Sequence, residues 1–381
     1  MDIQSPLELL GGISPMEFSK KHWQKKPLLI RQAIPGFTPI LGRPALFGLA
    51  ARDDVESRLI SREGTGGAGW RMARGPFPRR RLPALNQPNW TLLVQGVDLH
   101  VRAAHELLGR FRFMPDARLD DLMISFATDG GGVGAHIDRY DVFLLQAQGR
   151  RRWRIGRQKD LSLKKGVPLK LLKRFVPEQE FVLEPGDMLY LPPEYAHEGV
   201  AIGACMTYSI GFRSPSVEEL CRGVLAGLAE HMPDATSPRH YTDPSPAATV
   251  SPAALPAALR VFAREALAQA LAKQTAIDRS LGEFLTEPKQ EVWFEAPVDE
   301  PLTQKTGGLC LDRRTRMLYD ERHVFINGES FQASGQDFRL MQRLADVRRL
   351  TERERLRLSA GARDTVSEWI DAGWVSVEGR S

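Results

Sequence analysis

Three side chains of this 381-residue chain could hold one metal ion: His136 and Asp138, two positions apart, and His197, 59 positions further on. Two imidazoles and a carboxylate on one face of an octahedral ion leave positions open for a cosubstrate and oxygen, which suits non-haem Fe(II). Ligand types alone do not name the metal, since Zn(II) would take such donors in a tetrahedral site at about 2.0–2.2 Å. Ligands at i and i+2 of an extended strand point to the same side. The third must come from a strand adjacent in space, which a double-stranded β-helix provides. A His-x-Asp by itself is common, and most such residues are merely solvated; here the context matters. Residues 129–134 form a glycine-rich approach to His136, and an apolar strand follows over 140–146. His197 closes a run in which Pro185-Gly186-Asp187 makes a tight turn, 188–191 a short buried strand, and Pro192-Pro193 a break that re-aims the chain. That turn–strand–Pro–His order is of cupin type.

A second element of chemistry lies in Gly149-Arg150-Arg151-Arg152-Trp153-Arg154-Ile155. On a strand, Arg151, Trp153 and Ile155 share one face and Arg150, Arg152 and Arg154 the other. Trp and Ile belong inside, so Arg151 points inward with them. A buried arginine requires an anionic partner, and its fork matches a carboxylate with two parallel hydrogen bonds. An organic acid reaching from the metal to Arg151 satisfies both sites. 2-Oxoglutarate has the right two ends, a keto acid to chelate the metal and a distal carboxylate for the arginine. The plainer alternative is a structural Arg–Glu bridge.

These residues need a scaffold of short strands. Strand patterns recur over 90–94, 122–126, 142–146, 151–156, 179–183, 188–191 and 206–212, separated by turn residues, as in a barrel or sandwich. Ser14-Pro15 with Glu17 marks a helix start, 26–30 an exit into a strand, and 103–113 has helical spacing. Residues 60–83, rich in Gly, Arg and Pro, read as a loop, and Arg79-Arg80-Arg81 within it as solvated. Helices are predicted over 216–232 and 255–285, the latter alanine-rich and amphipathic, with a Pro/Ser/Thr/Ala linker at 233–256 between them. The last ninety residues differ: strands at 317–319 and 323–326 joined near Asn327-Gly328, helices at 338–347, 351–358 and 365–372, and a closing strand at 373–377. Helices with a small β wing resemble a winged-helix module, which binds DNA or serves as protein scaffold.

Composition bounds the rest. The 42% hydrophobic fraction suffices for sizeable cores, and no run of 18 apolar residues marks a membrane helix. The first residues lack the basic and apolar regions of a secretory signal, and Cys205, Cys221 and Cys310 have no metal-type spacing. The expectation is a reducing, cytoplasmic setting. A net charge of +5 permits contact with nucleic acid without demanding it; in the tail Arg348, Arg349 and Arg353 are balanced by Glu352 and Glu354, so direct nucleic-acid binding is not expected. Gly130-x-Gly132-x-x-Ala135 matches a relaxed dinucleotide fingerprint, but no helix or βαβ unit follows.

The segment 132–143, the following Gly149-Arg150-Arg151-Arg152-Trp153, and Pro185-Gly186-Asp187…Pro192-Pro193…His197-Glu198-Gly199 closely resemble the Jumonji C ribosomal oxygenases. The resemblance extends to Trp23-x-x-Lys26-Pro27-Leu28-Leu29-Ile30, to Val94-Gln95-Gly96-Val97-Asp98 and to the tail. It implies an α+β protein: a double-stranded β-helix (cupin/Jumonji C) catalytic domain over 1–212, a helical dimerisation region over 213–288, and a winged-helix-like domain over 289–381. It implies an iron triad of His136, Asp138 and His197, with Arg151 binding the distal carboxylate of 2-oxoglutarate. Relatives often carry lysine at that position, so the arginine points to the bacterial branch, which hydroxylates an arginine of a large-subunit ribosomal protein. The implied cofactors are Fe(II), 2-oxoglutarate and O2, and the implied assembly a homodimer. Asp129 is expected to contact the substrate guanidinium, although an Asp beside a glycine loop is by default a turn residue; Thr207 and Ser209 are expected to face the pocket. The alternatives are the same chemistry on a histidine residue or small molecule, or a non-catalytic metal-binding cupin with a nucleic-acid-binding tail.

Overall fold

The structure, a computed structural model, describes residues 2–63, 69–232, 239–244, 248–295 and 307–378. Those residues fall into two compact units, Met1–Ser214 and Pro215–Ser381.

The first unit begins with helix α1 (Pro15–Lys21), whose N-terminal amide of Glu17 is capped by the Ser14 hydroxyl at 3.1 Å. Strand β1 (Leu28–Ile30) and helix α2 (Arg43–Ala50) follow, then strands β2 (Ser57–Arg62), β3 (Trp70–Arg74) and β4 (Trp90–Val94). Helices α3 (Val97–His100) and α4 (Arg102–Gly109) lead to β5 (Leu119–Ala127), β6 (Val142–Gly156), β7 (Gln179–Leu183), β8 (Met188–Leu191) and β9 (Ala196–Phe212). The strands form one nine-stranded antiparallel system in the order β1-β8-β6-β9-β5-β4-β2-β3, with β7 continuing beside β6. β6 pairs with β8 through its first half and with β7 through its second, while β9 runs along its whole other edge. This is the double-stranded β-helix of the cupin and Jumonji C type, in an α+β chain. Its main core joins Phe18, Phe111, Phe143, Tyr190 and Phe212 from the N-terminal helices and the sheet, all at most 1% exposed. Deep burial of such aromatic surface is the dominant stabilising term.

Two patterns differ from the sequence reading. Strands read separately at 142–146 and 151–156 are one 15-residue strand, because the glycine between them makes a bulge and does not end the ladder. Gly149 has φ +63°, and a Cβ there would lie 2.3 Å from the Ala204 carbonyl oxygen. The 60–83 stretch contains the end of β2 and all of β3, whose composition is loop-like but whose pairing with β2 overrides it.

The second unit holds helices α5 (Val217–Glu230), α6 (Ala257–Leu271) and α7 (Gln274–Thr286), strands β10 (Gly308–Leu311), β11 (Met317–Tyr319), β12 (His323–Ile326) and β13 (Glu329–Gln332), helix α8 (Gly335–Val347), strand β14 (Arg349–Leu350), helices α9 (Glu352–Arg355) and α10 (Ala360–Asp371), and strand β15 (Val375–Glu378). Two three-stranded sheets, β14-β10-β15 and β11-β12-β13, enclose a core around Leu344, Ile326 and Trp369. Asn327-Gly328 turns β12 into β13, not β11 into β12 as the sequence pattern suggested; β13 is the strand that reading missed. The expected boundary at 288/289 falls inside this unit. α7 lies against the β12–β13 hairpin, where Gly282 leaves no room for a Cβ beside the Phe325 ring and the Gly328 amide donates to Thr286 Oγ1 at 3.2 Å.

Candidate metal centre and carboxylate pocket

His197 lies at the start of β9 opposite Ile155, and His136, in the loop before β6, is bridged to it backbone to backbone. The His136 amide donates to His197 O at 3.0 Å and the His197 amide to His136 O at 2.9 Å. Two reciprocal bonds thus fix the separation of the two imidazoles, 61 positions apart in sequence. The amide of Glu194 donates to Asp138 O at 2.7 Å and ties the carboxylate segment to the same approach. Asp138 Oδ2 then stands 3.7 Å from His136 Nε2 and 3.5 Å from His197 Nε2. The three ligand atoms all lie within 4.8 Å of one another, a span that one divalent ion can bridge.

Both imidazoles are set the same way. His136 Nδ1 is 2.9 Å from Gly134 O and His197 Nδ1 is 2.8 Å from Tyr195 O. A carbonyl oxygen only accepts, so each Nδ1 carries the proton and each Nε2 keeps a lone pair for a metal. Burial, and then the neighbouring His136, push the His197 pKa down to about 4 against the opposing pull of Asp138. The ring is therefore neutral, the ligating form, across physiological pH.

Deeper in the barrel Arg151 is 3% exposed, on the same face as Trp153 and Ile155. Its Nη1 donates to Ser125 Oγ and to Thr207 Oγ1, both at 3.2 Å, and its Nη2 to Gly199 O at 3.4 Å. Thr207 Oγ1 donates in turn to Gln146 Oε1 at 3.0 Å. No carboxylate pairs with this guanidinium among the described residues, and its buried Nε has no hydrogen-bond partner. The Arg–Glu bridge is therefore absent, and a bound carboxylate is the partner the site lacks. Gly199, two residues after His197, makes the space: a Cβ there would lie 2.8 Å from Arg151 Nε and 2.7 Å from the Trp153 ring.

Thr207 is buried against Arg151, and Ser209 is buried on the same strand opposite Met123 and Leu144. Asp129 Oδ1 accepts from the Gly203 amide at 2.8 Å, midway along β9. That bond fastens the loop, as turn aspartates do, and the exposed carboxylate keeps Oδ2 for the substrate guanidinium that we propose it meets. On the metal side the sequence reading missed Tyr140, 42% exposed, whose hydroxyl bonds to Asp138; partial desolvation and the charges of Asp138 and Asp121 push its pKa up. It also missed Ser125, Gln146 and Gly199. The available signals were a lone serine inside the apolar strand 122–127 and a glycine in phase with His197.

A double-stranded β-helix with this triad and a buried cation define the class: a JmjC-type 2-oxoglutarate-dependent oxygenase. Comparison with known proteins agrees. A JmjC domain model matches residues 106–220 and a ROXA-like winged helix model residues 266–376. The ribosomal protein uL16 3-hydroxylase of Escherichia coli is 36% identical over 325 residues, spanning 82% of this chain and 84% of that protein. A probable ribosomal oxygenase of Haemophilus influenzae is 27% identical over 96% of both chains. The crystal structure of E. coli YcfD superposes with a TM-score of 0.82 at 30% identity, covering 95% of this chain and 98% of that one. A further YcfD structure, in complex with cobalt and 2-oxoglutarate, gives 0.78 at 30% identity over 96% and 98% of the two chains. The chain belongs to the JmjC-domain ribosomal oxygenases, enzymes that use Fe(II), 2-oxoglutarate and O2.

Proposed function

We propose that this chain is a protein hydroxylase that oxidises an arginine side chain of a large-subunit ribosomal protein, with His136, Asp138 and His197 as its iron ligands and Arg151 as its 2-oxoglutarate clamp. The observation that carries the reading is the buried guanidinium without a counter-charge, in the same barrel as three convergent ligand atoms. The uL16 3-hydroxylase relative supports the choice of substrate.

When bound, Fe(II) with 2-oxoglutarate and O2 supplies the oxidation, one oxygen atom entering a substrate C–H bond and the other the succinate formed with carbon dioxide. The protein's part is positioning and exclusion. His136 and His197 present Nε2 because their Nδ1 protons are held by the carbonyls of Gly134 and Tyr195. Asp138 neutralises one unit of the metal's charge. Arg151 holds the far carboxylate of the oxoacid, with Ser125 and Thr207 keeping the fork in place. No acid–base dyad is required, because the hydrogen of the substrate C–H bond is kept in the new hydroxyl and no protein base has to remove it.

The helices α5 and α6 have no buried residue, and Val217, Leu225, Val261, Leu267 and Leu271 on them are all at least 44% exposed. A second copy of the chain is the natural cover for these apolar faces, so the reading includes a homodimer. No described helix is long and apolar enough to cross a membrane. Action on a ribosomal protein supports a cytoplasmic setting.

Incubation with Fe(II), 2-oxoglutarate and peptides from large-subunit ribosomal proteins should add one oxygen to an arginine and release succinate. Hydroxylation confined to a histidine, or succinate formed equally without peptide, would overturn the substrate assignment.

A further inference from the structure

The formal net charge is +5, and it is unevenly placed. Residues 157–174, between β6 and β7, carry two arginines and five lysines against one acid, Asp160, a net +6; the rest of the chain sums to −1. This loop is built, not loose. The Lys164 amide donates to Leu171 O and the Lys173 amide to Ser162 O, both at 2.8 Å, and the Leu172 amide to Ala135 O at 2.9 Å. Leu171 and Leu172 are buried and anchor it, while all its cations but the half-buried Lys164 are exposed.

Beside the loop is a cleft of about 280 Å³ lined by Arg62, Trp70, Arg154, Lys164, Lys173 and Phe175. Glu198 is its acid, and Arg154 occupies it. Lys164 and Lys173 form no salt bridge among the described residues, though Asp160 lies in the field of Lys173. Arg62 lies over the Trp70 ring at 5.6 Å, and its buried Nε has no partner. Arg154 and Glu198 alternate along β6 and β9 with Ile155 and His197, so the cleft is on the outward face of the strands whose inward face carries the metal site. Gly134 and Ala135, just before His136, also line it, so the cleft borders the back of the metal-ligand loop.

We propose that this loop and cleft form a docking surface for a single-stranded RNA backbone. Clustered cations beside aromatic rings are what such a strand requires: charge for the phosphates and rings for the bases. An acidic peptide would meet the charge but not use the rings. A ribosomal protein, itself adapted to bind phosphate, would be repelled by the cations, whereas RNA that accompanies it would be drawn in. This last step rests on the substrate reading above.

The test uses the full chain and a labelled single-stranded RNA of about 15 nucleotides, read by fluorescence anisotropy across about 50 to 200 mM salt. Saturable binding that weakens with salt is expected. K164Q/K173Q should reduce the log–log salt slope by about 1.4, at about 0.7 per lost contact. The exposed pair K165E/K170E should weaken binding about tenfold, and unchanged melting of either variant excludes misfolding. Peptide hydroxylation, read in the same samples, should be the same in wild type and variants. No saturable binding at low salt, variants that bind like wild type, or competition by oligoglutamate equal to that by RNA would each overturn the proposal. RNA binding by a chain that leaves the peptide unmodified would support the surface and count against the substrate reading instead.

Discussion

At the scale of single residues, Arg151 tests the site most sharply. A buried cation with hydrogen bonds but no counter-charge among the described residues destabilises the ligand-free protein. Arg151→Met should therefore raise the melting temperature of the ligand-free chain while abolishing 2-oxoglutarate binding, both readable by thermal shift with and without the oxoacid. Arg151→Lys should retain turnover with a higher KM for 2-oxoglutarate, because one donor replaces a two-pronged fork. A fall in stability of the ligand-free Met variant would mean that a missed anion already pairs with the arginine. His197 sets a pH dependence. Its folded pKa of about 4 lies below the ordinary value of 6.5. Between those values the unfolded chain binds the extra proton, so the metal-free protein gains stability as pH rises through that window and loses it as pH falls. The change is on the order of 3 kcal/mol, and urea titration at pH 4.5 and 7 should be compared with His197→Gln, which flattens it. Asp138→Ala should remove Mn(II) binding, followed by electron paramagnetic resonance, without unfolding the chain.

At the scale of elements, glycines decide where strands can approach. Gly199 is required because a Cβ would enter the space of Arg151 and Trp153. Gly199→Ala should cost about 1–3 kcal/mol and raise the KM for 2-oxoglutarate more than it lowers kcat, whereas Gly48→Ala, at an open position in α2, meets no neighbour. The Pro185-Gly186-Asp187 turn is similarly specific. Asp187 is buried; burial opposes its charge, but the amides of Gln32 and Glu184 and the Arg31 guanidinium outweigh it and hold the carboxyl below its ordinary range. Asp187→Ala leaves those donors unpaired and should lower stability by about 3 kcal/mol or more, measured by urea unfolding. The turn was readable from sequence, because Pro-Gly-Asp has few other conformations. The continuous β6 was not, because Gly149 reads equally as a strand end or a bulge until β9 is beside it.

At the scale of the whole molecule, the apolar faces of α5 and α6 predict self-association. Sedimentation at micromolar concentration should give a dimer, and Leu225→Lys together with Val261→Lys should shift it to monomer. A chain that stays monomeric without these changes would leave those faces to another partner. The triad and carboxylate clamp all lie in the first unit, so the monomeric variant should keep its affinity for 2-oxoglutarate.

The sequence by itself determined the chemistry: His136, Asp138 and His197 as a ligand set, and Arg151 as an inward cation, because ligand types and strand parity are local properties. It determined most of the strands and helices for the same reason. Only the tertiary structure decided which polar residues meet. The bridge between His136 and His197 brings the ligand atoms together, Gly199 opens the space for Arg151, and Ser125 and Thr207 hold its fork. Asp129 meets a backbone amide midway along β9, 74 positions away in sequence, a pairing no local pattern encodes. Register between strands far apart in the chain is set by packing of the whole barrel, and a polar side chain's partner follows from that register rather than from its neighbours in sequence.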